Sequence, residues 1–567
     1  MAAASTTPDL APPRNTIDGV DAPPTGNAAR PQTRLLASAV RYAKRVKEFS
    51  EVADGHGSNH ATLAAFFAKL LSHGAAQITP SNKEERFAVS YIYKASAAND
   101  DSMLSEVEEY TSCLDFVSKT SRAESTAPCR LLFLRGYPSP EWLGLIGARH
   151  MVDPEFFVRF LHFKPAKDAA FNNSFPALPA STWNLLELPV ITIGERKAFH
   201  GLADQVKIDN MRRETRSKIQ RHHDSLRGTS NVDVASSVVR GVAILDHSCF
   251  ALEQRIWICL QRQVSKGPED APWTLVVWTD SGRTPGIEAV RNLDILPSDF
   301  KTEETSLPPV IDYKPNRGLA LHKSDQKQVS KGGAEAATQL CVGYGKSLYP
   351  EIAASDGFYA LTEVFNTATA SMNQYNNLLE RKLAVYIDDE LYSDFDMLSN
   401  LRYAKDILYR QQRQIEQVLA WLRLHKLHDL SNWRNTKDQD PKASRSFESV
   451  VQRYEYLRTH VATLQAQCQD AITNSMSKIN LKEVKNSYEQ SIRIGRLTFL
   501  AAIFAPMAFT TSFFAMNIGL KNLSLTTWVI ATVILTSASL FLMIVDVMGW
   551  TKRRYKNTKK ALKEALY

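Results

Sequence analysis

LTFLAAIFAPMAFTTSFFAMNIGL, residues 497–520, contains no charged side chain. Lys521 and Asn522 interrupt it, and a second apolar run follows at 523–545. Each run reaches the roughly 20 residues that a helix needs to cross a bilayer core of about 30 Å. Only helices and closed barrels satisfy their backbone groups in hydrocarbon, and neither run alternates as a strand would. The stretch therefore predicts a transmembrane helix at 497–517, a short external loop at 518–524, a second transmembrane helix at 525–547 and a basic tail at 548–567. Lys482, Lys485, Arg493 and Arg496 precede the pair, and Lys552, Arg553, Arg554 and Lys556 follow it. The loop carries one lysine, so the positive-inside rule puts both termini in the cytosol.

Composition alone leaves two uses for this hairpin: an anchor, or one wall of a pore. The first helix carries Pro506 in its middle, a polar cluster at Thr510, Thr511 and Ser512, and Asn517 at its end. One hairpin cannot enclose a conduit, so a pore requires a ring of subunits.

Leu497-Thr498, Ile503-Phe504, Pro506, Phe509 and Phe514-Ala515-Met516-Asn517 together resemble the CorA-type magnesium channel family. That family has an LT, an IF, a mid-helix proline and a terminal Gly-Met-Asn at this spacing, on the first of two C-terminal membrane helices. Two departures stand out. The family's glycine is Ala515 here, and a loop that often carries acids there has only Lys521.

The resemblance implies a homopentamer with the first membrane helix lining a central pore. Asn517, within the Ala515-Met516-Asn517 motif, would hold a hydrated cation by its waters. Carried over by position, Ser512, Ala508, Ala505, Ala501, Leu497 and Ile494 would line the pore, with Leu497 and Ile494 as an apolar constriction. The cargo expected is Mg²⁺ or another divalent cation, moved by the membrane potential with no cofactor and no enzyme activity. The plasma membrane is the expected location. The rival class is a non-conducting CorA-like scaffold or sensor held in the membrane by the same hairpin. Residues 134–161 also resemble, by texture, the N-terminal domains of fungal CorA-like proteins.

Outward from the hairpin, the 567 residues allow more than one domain. A net charge of +8 suits a face near anionic lipid and does not by itself imply nucleic acid. Cys113, Cys129, Cys249, Cys259, Cys341 and Cys468 are scattered without a CxxC pair, which fits a reducing compartment. No apolar signal peptide opens the sequence. Residues 1–33, rich in Ala, Pro, Thr and Gly, are expected to be a disordered tail.

Residues 34–350 read as a cytosolic α/β domain. Arg130–Leu134 reads as a buried strand stopped by Gly136 and Pro138. Strands are also expected around 190–193, 238–244 and 273–278. Helices are expected at 139–146 and 153–161, the latter with Asp153 as N-cap before Pro154. Residues 210–227 carry Arg212, Arg213, Arg216, Lys218, Arg221, His222, His223 and Arg227. With no aromatic platform beside them they read as a solvated face, and no nucleic-acid partner is expected.

Gly345-Lys346-Ser347 has the end of a P-loop, but Leu340 stands where its first glycine belongs and Pro350 interrupts the following helix. GxSxG and HExxH are missing too. Residues 355–496 read as a helical stalk region. Phe447, Val450, Tyr454, Leu457, Val461, Leu464 and Cys468 alternate spacings of three and four, an a/d seam that needs a partner helix. No proline occurs from 442 to 505, so a helix of about 60 residues, roughly 90 Å, can run into the membrane. Asp388, Asp389, Glu390, Asp394 and Asp396 form the one dense acidic cluster, readable as a solvated loop or as a hard-cation site of regulatory kind. The fold class expected is an α+β membrane protein, with an α/β domain, a helical stalk and a two-helix hairpin.

Overall fold

The computed structural model describes residues 31–52, 60–73, 84–93, 105–122, 129–163, 182–196, 204–228, 232–262, 273–283, 286–311, 333–341, 344–345, 347–387, 393–427, 440–516 and 525–564. The chain divides into two compact units. One comprises Met1–Leu391 with Tyr403–Cys468, the other Tyr392–Arg402 with Gln469–Tyr567. The expected tail at 1–33 lies outside the described residues except for its last three positions.

The first unit is built on a mixed sheet. Its strands are β1 (Ala88–Tyr93), β2 (Ser105–Tyr110), β3 (Cys129–Arg135), β4 (Leu185–Arg196), β5 (Gly241–Ile244), β6 (Cys249–Arg262), β7 (Trp273–Thr279) and β8 (Thr305–Ser306). They lie in the order β2-β1-β3-β7-β6-β4-β8, with β5 also on β6. Among the named strands of the described residues only β3 and β7 run parallel, and the other pairs are antiparallel. Long β6 pairs with β4 along one edge, and with β5 then β7 along the other.

The strand at 129–135 is buried from Arg130 onward because it is central in the sheet. It ends where expected. Gly136 has φ +60°, and a Cβ there would lie 2.1 Å from the Ser236 carbonyl oxygen, so only glycine fits.

Six helices precede β4: α1 (Pro31–Ser50), α2 (Ala61–Phe66), α3 (Ala68–His73), α4 (Cys113–Arg122), α5 (Pro140–His150) and α6 (Pro154–Leu161). Their apolar stripes and the sheet share one core, which includes Ala39, Phe67, Phe116, Trp142, Phe157 and Trp278. The N-cap expected at Asp153 is in place, and Ser139, read as the first residue of its helix, is an N-cap as well. The Ser139 side chain accepts from Trp142 N–H, and Asp153 accepts from Glu155 N–H at 2.9 Å. Trp278 stacks on Phe160 with ring centroids 3.5 Å apart and donates Nε1–H to the Gly136 carbonyl at 2.9 Å.

Two further helices, α7 (Gln205–Arg227) and α8 (Ile287–Asn292), close a second core through Ile208, Met211, Val290 and Phe300. A buried ion pair sits nearby. Asp280 accepts from Arg240 Nε at 2.9 Å, from Arg240 Nη2 at 2.7 Å and from Arg255 N–H at 2.8 Å. Arg240 in turn lies 4.9 Å and 4.8 Å from the ring centroids of Phe160 and Phe163.

Glu335 is buried against the sheet. Its Oε2 accepts from Ser237 Oγ at 3.0 Å, and the next residue, Ala336, donates N–H to Thr192 Oγ1 at 2.9 Å. Burial pushes the Glu335 carboxyl up from 4.5 to about 7, with nearby Asp280 adding to the rise. A carboxyl raised in the folded state stabilises in its protonated form. That contribution is complete below about pH 4.5 and is lost as pH rises through about 7. Glu335→Gln should therefore flatten the decline of thermal stability between about pH 4.5 and 7. The variant should be more stable than its parent at the alkaline end by roughly 3 kcal/mol. Equal slopes for the two proteins would remove Glu335 as the cause.

The chain then becomes helical: α9 (Pro350–Ser355), α10 (Gly357–Ala360), α11 (Thr362–Tyr386), α12 (Asp394–Leu427), α13 (Pro441–Ala515) and α14 (Leu525–Glu564). Within the helical region expected from residue 355 the chain breaks at Leu361, between α10 and α11. Helix α11 lies on the sheet. Ser371 Oγ accepts from Ile191 N–H at 3.3 Å, Tyr386 donates to the Leu245 carbonyl at 2.7 Å, and Lys382 pairs with Asp246.

Within the first unit the seam of α13 is fully buried from Phe447 to Cys468. Its partner comes from the same chain. Phe447 meets Phe358 edge-on at 4.9 Å, Tyr454 meets Phe365 at 6.4 Å, His460 approaches Glu380, and Glu455 bonds Arg423 at 2.9 Å. The seam thus carries no information about a second copy. Each such buried side chain contributes about 1.5–3 kcal/mol to packing these helices together.

In the second unit, Ser475 Oγ donates to Met397 Sδ at 2.9 Å, and Lys482 pairs with Asp394. The rest of this unit is the two apolar helices.

Candidate functional site

Helix α13 runs without a break through Arg496 and its apolar stretch to Ala515, and α14 begins at Leu525. Among the described residues these are the two helices long and apolar enough to cross a membrane. Their apolar stretches have mean hydropathy 1.5 and 2.3, and only 6% of each is buried within the chain. A soluble protein's core helix of this hydropathy would be mostly buried. Phe504, Phe509 and Phe513 all stand exposed, which suits lipid contact.

The two helices touch along one face each. On α13 the covered positions are Ala502, Ile503, Pro506 and Thr510; on α14 they include Thr532, Thr536 and Ser539. The Thr510 and Thr532 hydroxyls are 3.0 Å apart, and Ser539 Oγ donates to the Ala502 carbonyl at 3.1 Å. Small residues here let the backbones approach.

The candidate pore-lining residues lie on the other side. Ile494, Leu497, Ala501, Ala505, Ala508 and Ser512 are all exposed, as is Ala515 of the terminal motif. At 3.6 residues per turn they form one stripe opposite Pro506. The hairpin thus leaves free the face that sequence position assigned to the pore, and that face is narrow-sided: three alanines and a serine above two aliphatic residues. Met516 follows the helix end with its backbone N–H on the Ser512 carbonyl at 3.2 Å. Asn517 and the loop with Lys521 lie outside the described residues.

Of the acidic cluster, Asp388, Asp389 and Glu390 lie outside the described residues. Asp394 is neutralised by Lys482, and Asp396 accepts from Ser393 Oγ at 2.6 Å. Among the described residues no three His, Cys, Asp or Glu side chains gather at metal-holding distance.

The Gly345–Ser347 turn has a different employer. Gly345 N–H and Ser347 N–H donate to the two oxygens of Glu363 at 2.8 Å and 2.9 Å. A carboxylate therefore sits where a P-loop would cradle phosphate.

The basic run at 210–227 belongs to α7 and is partly structural. Arg212 donates to the Ile244 and Leu245 carbonyls at 3.1 Å and stacks 4.0 Å from the Tyr403 ring. Lys218 and Arg227 donate to the Leu296 and Phe163 carbonyls. Burial, with help from His223 and Arg240, pushes His222 down to about 4, so it carries no charge at neutral pH. Arg216 and Arg221 keep exposed positions. The carbonyl-binding roles depend on neighbours distant in sequence and left no local signal.

No curated protein matches the chain. Among solved structures it is similar to the complete structure of the CorA magnesium transporter from Methanocaldococcus jannaschii. The identity is 11%, the match covers 62% of this chain and 96% of that one, and the TM-score is 0.27. Residues 339–553, from the end of the sheet unit through both apolar helices, match the family model described as CorA-like Mg2+ transporter protein.

Proposed function

We propose that the protein is a membrane transporter of divalent cations, Mg²⁺ first among them, acting as a homo-oligomer of five subunits. The observation that carries this reading is the exposed stripe from Ile494 to Ala515, which lies opposite α14 on a helix inside the CorA-like stretch. Five such stripes facing an axis enclose a pore, with Leu497 and Ile494 as its apolar constriction and Asn517 at its mouth. Mg²⁺ dehydrates reluctantly. Neutral amide oxygens can hold its waters and still let the ion leave. The membrane potential supplies about 2.3 kcal/mol per charge per 100 mV, doubled for a divalent ion, and both termini lie on the cytosolic side.

Purified protein in liposomes, under an imposed inside-negative potential, should take up Mg²⁺, and its detergent-solubilised mass should correspond to five chains. A monomer that carries no ion would remove this reading. A connecting loop at 518–524 that holds Lys521 and no acid favours a second one: a non-conducting scaffold or sensor of the same architecture. A well-assembled pentamer without flux selects it.

A further inference from the structure

Pro506 creates a vacancy in the hydrogen-bond ladder of α13. It has no N–H, so the carbonyl four residues back, that of Ala502, loses its helical partner. In hydrocarbon there is no water to replace it, and an unsatisfied carbonyl is costly. The carbonyl is nevertheless bonded: Ser539 Oγ reaches it from α14 at 3.1 Å.

The direction of that hydroxyl is informative. Thr498, Thr511 and Thr536 donate to the carbonyl four residues back in their own helices. Ser539 instead donates across to the other helix. One turn beyond the proline, Thr510 and Thr532 meet at 3.0 Å, so polar contacts to α14 bracket Pro506 on both sides. Pro506 itself is buried between them.

We propose that Ser539 is a positioning residue for the first membrane helix: its hydroxyl supplies the hydrogen bond that Pro506 withholds from Ala502 and so fixes the proline turn against the second helix. With the turn fixed, the stripe on the far side keeps its alignment. The consequence for ion flux rests on the transport reading above; the consequence for hairpin stability does not.

The test is a double-mutant cycle on the full-length protein. It is read both by unfolding in detergent and by Mg²⁺ flux in liposomes. Ser539→Ala should shift the folding equilibrium about three- to twentyfold toward the unfolded form, the span of interhelical hydrogen bonds in membranes. Flux should fall with it. Ser539→Thr should retain both. In the Pro506→Ala background, residue 506 regains an N–H that bonds Ala502 within the helix, so Ser539→Ala should then cost nothing. Pro506→Leu should behave as Pro506→Ala does. An equal cost of Ser539→Ala with and without the proline would overturn the proposal, because a merely structural serine is indifferent to Pro506. A parent without flux removes the transport reading alone, since the unfolding cycle still decides the role of Ser539.

Discussion

Asn517→Ala should abolish divalent-cation flux through the reconstituted protein while leaving the mass of the assembly unchanged. In sequence Asn517 comes two residues after Ala515, the last residue of α13, and on the proposed transport reading a ring of its amides would meet the ion at the mouth of the path. Alanine removes the side-chain amide and with it the side-chain oxygen. Against a hydrated Mg²⁺, whose waters demand octahedral partners, that loss leaves nothing to replace the outer shell. Ala515→Gly is the companion measurement. A glycine here would matter if the backbone needed φ > 0, where alanine costs roughly 1–2 kcal/mol. Ala515 is instead the last residue of right-handed helix α13, where alanine is the most favourable residue. Flux through Ala515→Gly should therefore equal that of the parent. Flux that survives Asn517→Ala would take the amide out of the mechanism.

The largest loss of stability should come from Asp280→Ala. Asp280 is fully buried and accepts three hydrogen bonds, two from the Arg240 guanidinium and one from the Arg255 backbone. Removing it leaves a buried cation with the His162 carbonyl, at 3.4 Å from Arg240 Nη1, and aromatic faces as its remaining neighbours. Breaking such a pair costs about 3–5 kcal/mol, mostly as the penalty of the orphaned charge. Thermal unfolding should show this, and it should also show partial recovery when Arg240→Met accompanies Asp280→Leu. A double variant no better than Asp280→Ala would mean that the site's shape, not its charge, is what matters.

The hairpin was legible because lipid imposes length and apolarity on consecutive residues, and those are local properties. The cap at Asp153 and the burial of the seam were legible because they too rest on residues close together in sequence. The sheet was only half legible. β2 reads SEVEEY, with acids on an edge strand that discourages further pairing, so no apolar run announces it. β6 carries Glu253, Gln254 and Arg255 at its centre. Those residues are tolerable only because Gln254 accepts from Thr192 at 3.2 Å and Arg255 pairs with Glu187, partners more than a strand away in sequence. The seam showed that a partner was needed but not whose: Phe358 and Phe365 of the same chain supply it. The stripe was assigned by position alone. That it lies opposite α14 follows only from Thr510, Thr532 and Ser539 meeting across the hairpin.

The lone parallel pair in the sheet sets a clock for biosynthesis. β3 cannot complete its pairing until β7 exists, because Arg130 aligns with Thr274, and everything between must first leave the ribosome. Non-local pairing of this kind is slow. Yet the apolar helices come later still, after the seam residues that close the first unit. At about 5–20 residues per second, the interval between translation of β7 and of Leu497 is roughly 10–45 s. The sheet unit therefore has time to fold before the membrane machinery meets its first hydrophobic segment, and insertion is the last act of a chain whose larger part is already compact.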